Sequence, residues 1–492
     1  MGATEIELFL DRQRISWEYN IERRMGHPQR HGKNPVLHAE HPWESSFVTL
    51  YGSVLAKDGG GYAMWYMAGA GGMRAHQMMC YAESDDGVTW RKPMLDVVPY
   101  DDCPKTNIVL GPEPNIHGPC VLRNRHNDDP SQKYLVFYDS YSKYRPNRPE
   151  LAECARWCFT AASPDGIHWS PKEGRPAVPG KSDTGQSVVW DAKRKRYIAY
   201  MRGTRSQHRP FDSVYGETVR VRYVRASVSP DFVKWSDPIE LLRADERDGD
   251  PHHQFHQFSV TRRGNCFLGL LSLFHIEHYS RVRDRDDGAI LLEEGTCDTQ
   301  LAFSRDGMNW QRLGECQPFL RLGTPGEWDC RWLTTASEIV FSDDRMLFYY
   351  AGYGHPIEET LNGDVRRAIG VATLLCDRFQ ALRPRRLHQD GVVETVPLYL
   401  AEGDLEVNVD AARGRLRVEL CDFNGDAIEG FSRDDCDLID TDAVRQVVRW
   451  NGRKLSQAVG RKLFRKAIRI RFYLHQASLY AMYFPAQPAV EE

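Results

Sequence analysis

One heptapeptide limits what this chain can fold into more than any other feature. It stands at Ser84-Asp85-Asp86-Gly87-Val88-Thr89-Trp90, at Ser163-Pro164-Asp165-Gly166-Ile167-His168-Trp169 and at Ser304-Arg305-Asp306-Gly307-Met308-Asn309-Trp310, with an altered copy at Ser229-Pro230-Asp231-Phe232-Val233-Lys234-Trp235. The shared pattern is S-x-D-G-x-x-W. Each copy follows a strand-like run such as Cys80-Tyr81-Ala82-Glu83 or Gln300-Leu301-Ala302-Phe303, which makes it a hairpin tip. Asp bonds the backbone of its own turn, Gly accepts a positive φ, and Trp adds a large apolar plug. The carboxylates of these turns are therefore read as structural rather than chemical.

A longer repeat accompanies the turns. A strand, a polar turn and a strand rich in aromatics recur at 51–68, 121–138, 187–201, 258–274 and 338–352, with starts about 70 residues apart. Five such hairpins predict a five-bladed β-propeller, whose last blade takes a strand from the segment before Asn34. After Cys376 a connector, Arg383-Pro384-Arg385-Arg386, leads into alternating runs such as Leu405-Glu406-Val407-Asn408-Val409 and Leu416-Arg417-Val418-Glu419-Leu420. The expectation is an all-β chain in which a five-bladed propeller is followed by a C-terminal β-sandwich. Residues 1–33 form an N-terminal extension packing on the propeller, 34–380 the catalytic propeller, 381–395 a linker and 396–492 the sandwich. A chain of 492 residues exceeds what one core usually serves, so more than one domain is the natural reading.

Composition excludes several classes of partner. With 64 basic and 68 acidic residues the net charge is only -4, too small to gather nucleic acid or an anionic membrane. The basic run Ile468-Arg469-Ile470-Arg471-Phe472-Tyr473-Leu474 has period-two alternation and reads as a solvated strand face. No apolar stretch reaches membrane length, and the first residues lack a basic segment followed by an apolar one, so a cytoplasmic location is expected. The 12 cysteines include no C-x-x-C pair and read as reduced, mostly buried thiols. The expected partner is a carbohydrate substrate, without nucleic acid or membrane; a homo-oligomer remains open.

In a propeller the segments just before each first strand converge on the axis. Those segments hold His41-Pro42-Trp43-Glu44, Asn115-Ile116-His117, Ser182-Asp183-Thr184, the run from Asp248 to His256, and Gly326-Glu327-Trp328-Asp329-Cys330-Arg331. Carboxylates, imidazoles and tryptophans gathered in one place suit a sugar. Glycosidic cleavage needs a protonated group for the leaving oxygen and an ionised carboxylate acting on water or on the anomeric carbon, while tryptophan faces stack on sugar rings. Glu44, Asp183, Asp250, Asp329 and Glu327 are the catalytic candidates, with Asp183 or Asp250 as acid and Glu44 or Asp329 as nucleophile or base. Trp43, Asn115, His117, Arg202, His253, His256, Trp328 and Arg331 are the substrate-binding candidates. No cofactor is required and no metal ligands are assigned; a central divalent cation such as calcium is the one option kept.

These features resemble the five-bladed propeller glycoside hydrolases, the superfamily of families 32, 43, 62, 68 and 117. The likeness rests on Trp43-Glu44 before Tyr51-Gly52-Ser53-Val54-Leu55, on Tyr62-Ala63-Met64-Trp65-Tyr66-Met67 and on the repeated turns. The appended sandwich looks most like family 32. That resemblance implies a glycosidase, exo-acting on a furanoside or a short oligosaccharide. Family 32 carries W-M-N-D-P-N-G, R-D-P and E-C motifs, none of which stands here, so fructose specificity is not implied. Three alternatives stay open: a non-catalytic carbohydrate-binding or scaffold propeller, a sialidase-like hydrolase, for which the axial segments hold too few arginines, and a polysaccharide lyase using His117 and His253.

Overall fold

The computed structural model describes residues 4–71, 76–112, 115–141, 156–172, 176–180, 182–208, 218–250, 252–284, 288–355, 367–458 and 466–485. The five hairpins are present, and the first four span more residues than their aromatic repeats suggest. Phe47–Ala56 pairs with Tyr62–Gly69, His117–Arg123 with Tyr134–Tyr141, Ser187–Asp191 with Arg196–His208, Gln254–Arg263 with Cys266–Asp284, and Val340–Phe341 with Arg345–Tyr353.

The expected closed five-bladed propeller is not observed, although the all-β character is. Strands lie in separate open sheets, and none closes or curls back on itself. The first three hairpins build sheets of five, four and four strands. The fourth and fifth do not form separate units: Cys297, in strand Gly288–Ser304, bridges in parallel to Trp332, in strand Trp332–Thr335, and merges them into one ten-stranded sheet. That sheet also takes strand Gln29–Arg30 from the N-terminal segment, paired with Arg367–Leu375.

A defined C-terminal β-sandwich is likewise not observed, because both ends of the chain share the same sheets. Thr4–Glu7 pairs with Ser478–Pro485 and Ile21–Met25 with Gln380–Pro384 in a six-stranded sheet. Ile15–Tyr19 pairs with Gly391–Thr395 at the edge of a five-stranded one. In strand Ala467–His475 burial alternates residue by residue, with Ile468, Ile470, Phe472 and Leu474 inward and Arg469 and Arg471 outward.

The heptapeptide turns explain how neighbouring sheets hold together. In each, the Asp side chain accepts backbone N–H bonds from residues two and three further on, as Asp165 does from Ile167 and His168. Burial alone would raise the Asp165 carboxyl, but those bonds, with His168 and Ser163, bring it down to about 2. The turn glycine then offers its carbonyl to the adjacent sheet. Trp65 Nε1 donates to Gly166 at 2.6 Å, Tyr200 Oη to Gly307 at 2.8 Å and Tyr349 Oη to Gly87 at 2.7 Å. In the altered copy Phe232 holds the positive φ of 65° and packs on Trp235 and Tyr197 instead.

Gly166 is at φ 80°, and a Cβ there would meet Trp65 Cζ2 at 2.6 Å. Gly166→Ala is therefore expected to cost about 1–3 kcal/mol through backbone strain and overpacking. Gly59→Ala, with open space around its Cβ, is expected to stay within about 0.5 kcal/mol. Urea unfolding of the two variants checks this; equal midpoints would rule the clamp out.

Candidate functional site

Three first strands break their register at the same end of their sheets, and each break presents a polar ring. In Phe47–Ala56 the register shifts between Thr49 and Ser53, around Tyr51. In His117–Arg123 it shifts between His117 and Cys120. In Gln254–Arg263 it shifts between Phe255 and Gln257, around His256. Such bulges re-aim side chains and concentrate beside functional sites. Glycine makes two of them feasible: a Cβ on Gly52 would lie 1.9 Å from the Trp65 carbonyl oxygen, and one on Gly118, at φ 57°, would lie 2.0 Å from that of Thr184. These strand-interior glycines were the sequence signal for Tyr51, which upstream segments alone do not reveal.

The rings enclose one carboxylate. Tyr51 lies 5.5 Å from His117 and 6.3 Å from His256, centroid to centroid. Asp183 Oδ1 is 3.9 Å from His117 Nε2, and Asp183 Oδ2 accepts a 2.7 Å bond from Arg202 Nη2. The Asp183 side chain is 35% exposed while that of Arg202 is 6% exposed, so the pair has a buried cationic root and an open anionic face. Asp183 itself is in the left-handed region, at φ 56°, with its N–H donating to buried Asp139 at 2.9 Å.

His256 shares a 3.3 Å contact with Thr184 Oγ1 and packs edge-on to Trp332 at 4.9 Å. Trp332 stacks on Tyr353, whose ring lies under Arg367. Arg222 donates to Gln254 at 2.9 Å and to Glu293 at 3.1 Å. Burial, joined by Arg202 and Arg222, drives His256 well below its ordinary value, against the opposing pull of Asp183. His256 is thus a neutral hydrogen-bonding group. Burial also holds the Tyr51 phenol above its usual value. Arg202, Arg222 and Arg367 all act on His256, and none lies in the segments just upstream of the first strands.

The other sequence candidates sit in different surroundings. Glu44 is fully buried, accepting bonds from Tyr66 Oη at 2.5 Å, Lys92 Nζ at 2.8 Å and the Glu40 and His41 amides. Beside it, Trp43 Nε1 donates to Asn107. Asp329, also buried, accepts from Arg30 Nε and Tyr350 Oη, both at 2.8 Å, and Trp328 stacks on the same Tyr350. Glu327 is exposed and accepts from the Thr324 amide; Asp250 is exposed and accepts from that of His252. Asn115 accepts from the Gln77 amide, and Arg331 reaches Glu277 and the Gly295 carbonyl, both at 3.3 Å. His253 packs on His275, which pairs with Asp298 at 2.9 Å. The structure therefore joins Asp183, His117, Arg202 and His256, whereas the partners of Glu44, Asp329, Asp250 and Glu327 all lie outside that group. Sequence reasoning passed over Glu338, a carboxyl that burial raises to about 7 against Arg125 and Arg123.

Among the described residues no three His, Cys, Asp or Glu side chains are grouped to hold a metal ion, which corrects the option of a central divalent cation such as calcium. No helix there is long and apolar enough to cross a membrane.

No family model matches the sequence, and no curated protein matches it. Solved structures are distantly similar. An N-acetylgalactosamine deacetylase from F. plautii is 14% identical, with a TM-score of 0.45 over 73% of this chain and 97% of its own. A GH32 beta-fructofuranosidase from Bombyx mori is 10% identical, with a TM-score of 0.42 over 94% and 96%. The catalytic domain of a GH62 alpha-L-arabinofuranosidase from Coprinopsis cinerea is 13% identical, with a TM-score of 0.44 over 71% and 98%. Likenesses this distant carry neither membership of a family nor a mechanism. The expected place among the family 32 and 43 propeller enzymes is thus corrected: the separate open sheets do not have the closed architecture on which it rested.

The buried neutral state of His256 has a thermodynamic consequence. In the unfolded chain this imidazole takes up a proton near pH 6.5, while in the folded protein it stays neutral, so its contribution is lost as pH falls below about 6.5. His256→Gln is expected to remove a dependence of up to about 1.4 kcal/mol per pH unit between pH 6.5 and 5, read from urea midpoints. Identical pH dependence in both proteins would contradict the assignment.

Proposed function

We propose that the protein is a carbohydrate-active hydrolase and that its glycosidic chemistry is centred on Asp183. The observation that carries this reading is the convergence of three strand bulges around a half-open carboxylate with a buried arginine behind it. Arg202 at 2.7 Å favours the ionised form of Asp183, which suits it to act on water or on the anomeric carbon rather than to donate a proton. His117, 3.9 Å away, is the neighbour able to supply a proton to the leaving oxygen. His256, held neutral, and Tyr51 offer hydrogen bonds to sugar hydroxyls, and the buried Trp332–Tyr353 stack backs His256. An exo-acting enzyme on a furanoside or a short oligosaccharide is the form this reading takes.

A second reading concerns the charge of the sugar. Arg202, Arg222 and Arg367 all act electrostatically on His256, and positive charge beside the site favours a glycoside bearing a carboxylate over a neutral one.

Release of aryl alcohol from a panel of furanosides and pyranosides, neutral and uronate, tests both. Asp183→Asn and His117→Gln, each verified as folded, are expected to lose about 10²–10⁴-fold in kcat on whichever member is cleaved. Cleavage that survives Asp183→Asn, or a wild-type protein inert on every member, would overturn the reading.

A further inference from the structure

Far along the chain from Asp183, the edge strand Ile15–Tyr19 carries two large aromatic side chains outward. Trp17 is 51% and Tyr19 54% exposed, and two residues apart on a strand they share one face. Their rings are parallel to within 10°, with centroids 6.4 Å apart. Large aromatics in this protein are otherwise mostly buried, and burying one such ring is worth about 1.5–3 kcal/mol. Leaving two side by side in water on a sheet edge therefore forgoes substantial stabilisation.

The surroundings of the two rings are polar and concave. On one side a cavity of about 560 Å³ runs beneath Trp17 and Tyr19, with Asn20, Arg385, Arg386 and Gln389 on its wall. Neither the Arg385 nor the Arg386 guanidinium has a partner among the described residues, and Gln389 Oε1 is a buried acceptor without one. On the other side Trp17 borders a second cavity, of about 630 Å³, walled by Glu394, Asn424, Arg469 and Arg471. There the side chains are already fixed: Arg471 donates to Glu394 at 2.6 Å and to Glu419 at 2.7 Å, and Arg469 reaches Glu394 at 3.4 Å.

We propose that Trp17 and Tyr19 form a second, non-catalytic binding site for an oligosaccharide chain. Flat apolar rings match the C–H faces of pyranosides, and planar Arg, Asn and Gln groups on both walls match the hydroxyls at their edges. Arg469, held by the Phe423 carbonyl and Glu394, presents its remaining donors at little entropic cost, and Gln389 Oε1 gains the donor it lacks. A peptide pairing with the strand edge would use backbone groups and leave these walls idle. The site is independent of Asp183, so a glycan can be held there while its end is processed elsewhere.

Affinity electrophoresis of the full chain through gels containing soluble polysaccharides, neutral and uronate, tests this. Retardation by at least one polysaccharide is expected, with Trp17→Ala/Tyr19→Ala weakening it at least tenfold and Trp17→Phe retaining it. Cleavage of small aryl glycosides should be the same in all three proteins, which separates this site from the proposed catalytic one. Absence of retardation by every polysaccharide, or retardation unchanged in the double variant, overturns the proposal. So does a dimer in gel filtration that the double variant abolishes, since the rings would then cover a second copy of this chain.

Discussion

Where the first strands of the sheets meet, side-chain hydroxyls do the work that strand ladders do elsewhere. Ser53 Oγ accepts from the Val121 amide at 2.8 Å and lies 2.6 Å from Ser337 Oγ. Ser187 Oγ accepts from the Val260 amide at 2.9 Å and donates to the Ser337 carbonyl at 2.8 Å. Thr261 Oγ1 accepts from Ile339, and the Thr335 hydroxyl donates to Ser259. All five first strands are thereby tied to one centre without belonging to one sheet. A buried amide left unpaired would cost about 1–3 kcal/mol, so small hydroxyl residues are strongly preferred there over apolar ones of similar size. The site stands on this layer: Tyr51, Thr184, His256 and Trp332 are each within a few residues of one of these hydroxyls along the chain, and the strand of His117 is tied to it through the Val121 amide.

Between the sheets the apolar contacts are conventional and extensive. Trp65, Tyr81, Val121 and Val136 pack the first sheet on the second, and Phe137, Cys158, Tyr197 and Phe232 the second on the third. Tyr200, Phe258, Leu271 and Ala302 continue into the ten-stranded sheet. The turn glycines add a directional bond to each contact where one is made. Polar centre and apolar flanks together leave the bulged strand ends few alternative positions, which is how a carboxylate in the left-handed region can be maintained.

Local features were legible in the residues and distant pairings were not. The heptapeptide turns and the five hairpins could be read because their hydrogen bonds span only a few positions. Nothing local announced that Cys297 would bridge to Trp332, or that Trp17 would pair with Glu394 across most of the chain, and those pairings decide how the sheets are joined. For the site, Asp183, His117 and His256 were found because each stands in a run leading into a first strand, and Arg202 because it could pair with an axial carboxylate. Tyr51 was hidden inside a strand, with Gly52 as its one signal. Glu44 and Asp329 looked equivalent to Asp183 in sequence; what differs is Lys92, Tyr66, Arg30 and Tyr350, which come from elsewhere in the chain to bond them.

Chemistry and architecture meet in the pairing of an exposed carboxylate with a buried arginine. Burial holds Arg202 below its ordinary value, and the nearby Asp183 opposes part of that effect. The most direct measurement is a crystal structure of the protein soaked with the monosaccharide released from whichever glycoside it cleaves. The account predicts the sugar seated among Tyr51, His117 and His256, with a hydroxyl or the anomeric carbon against Asp183. A sugar bound reproducibly elsewhere, with that cluster empty, would contradict it.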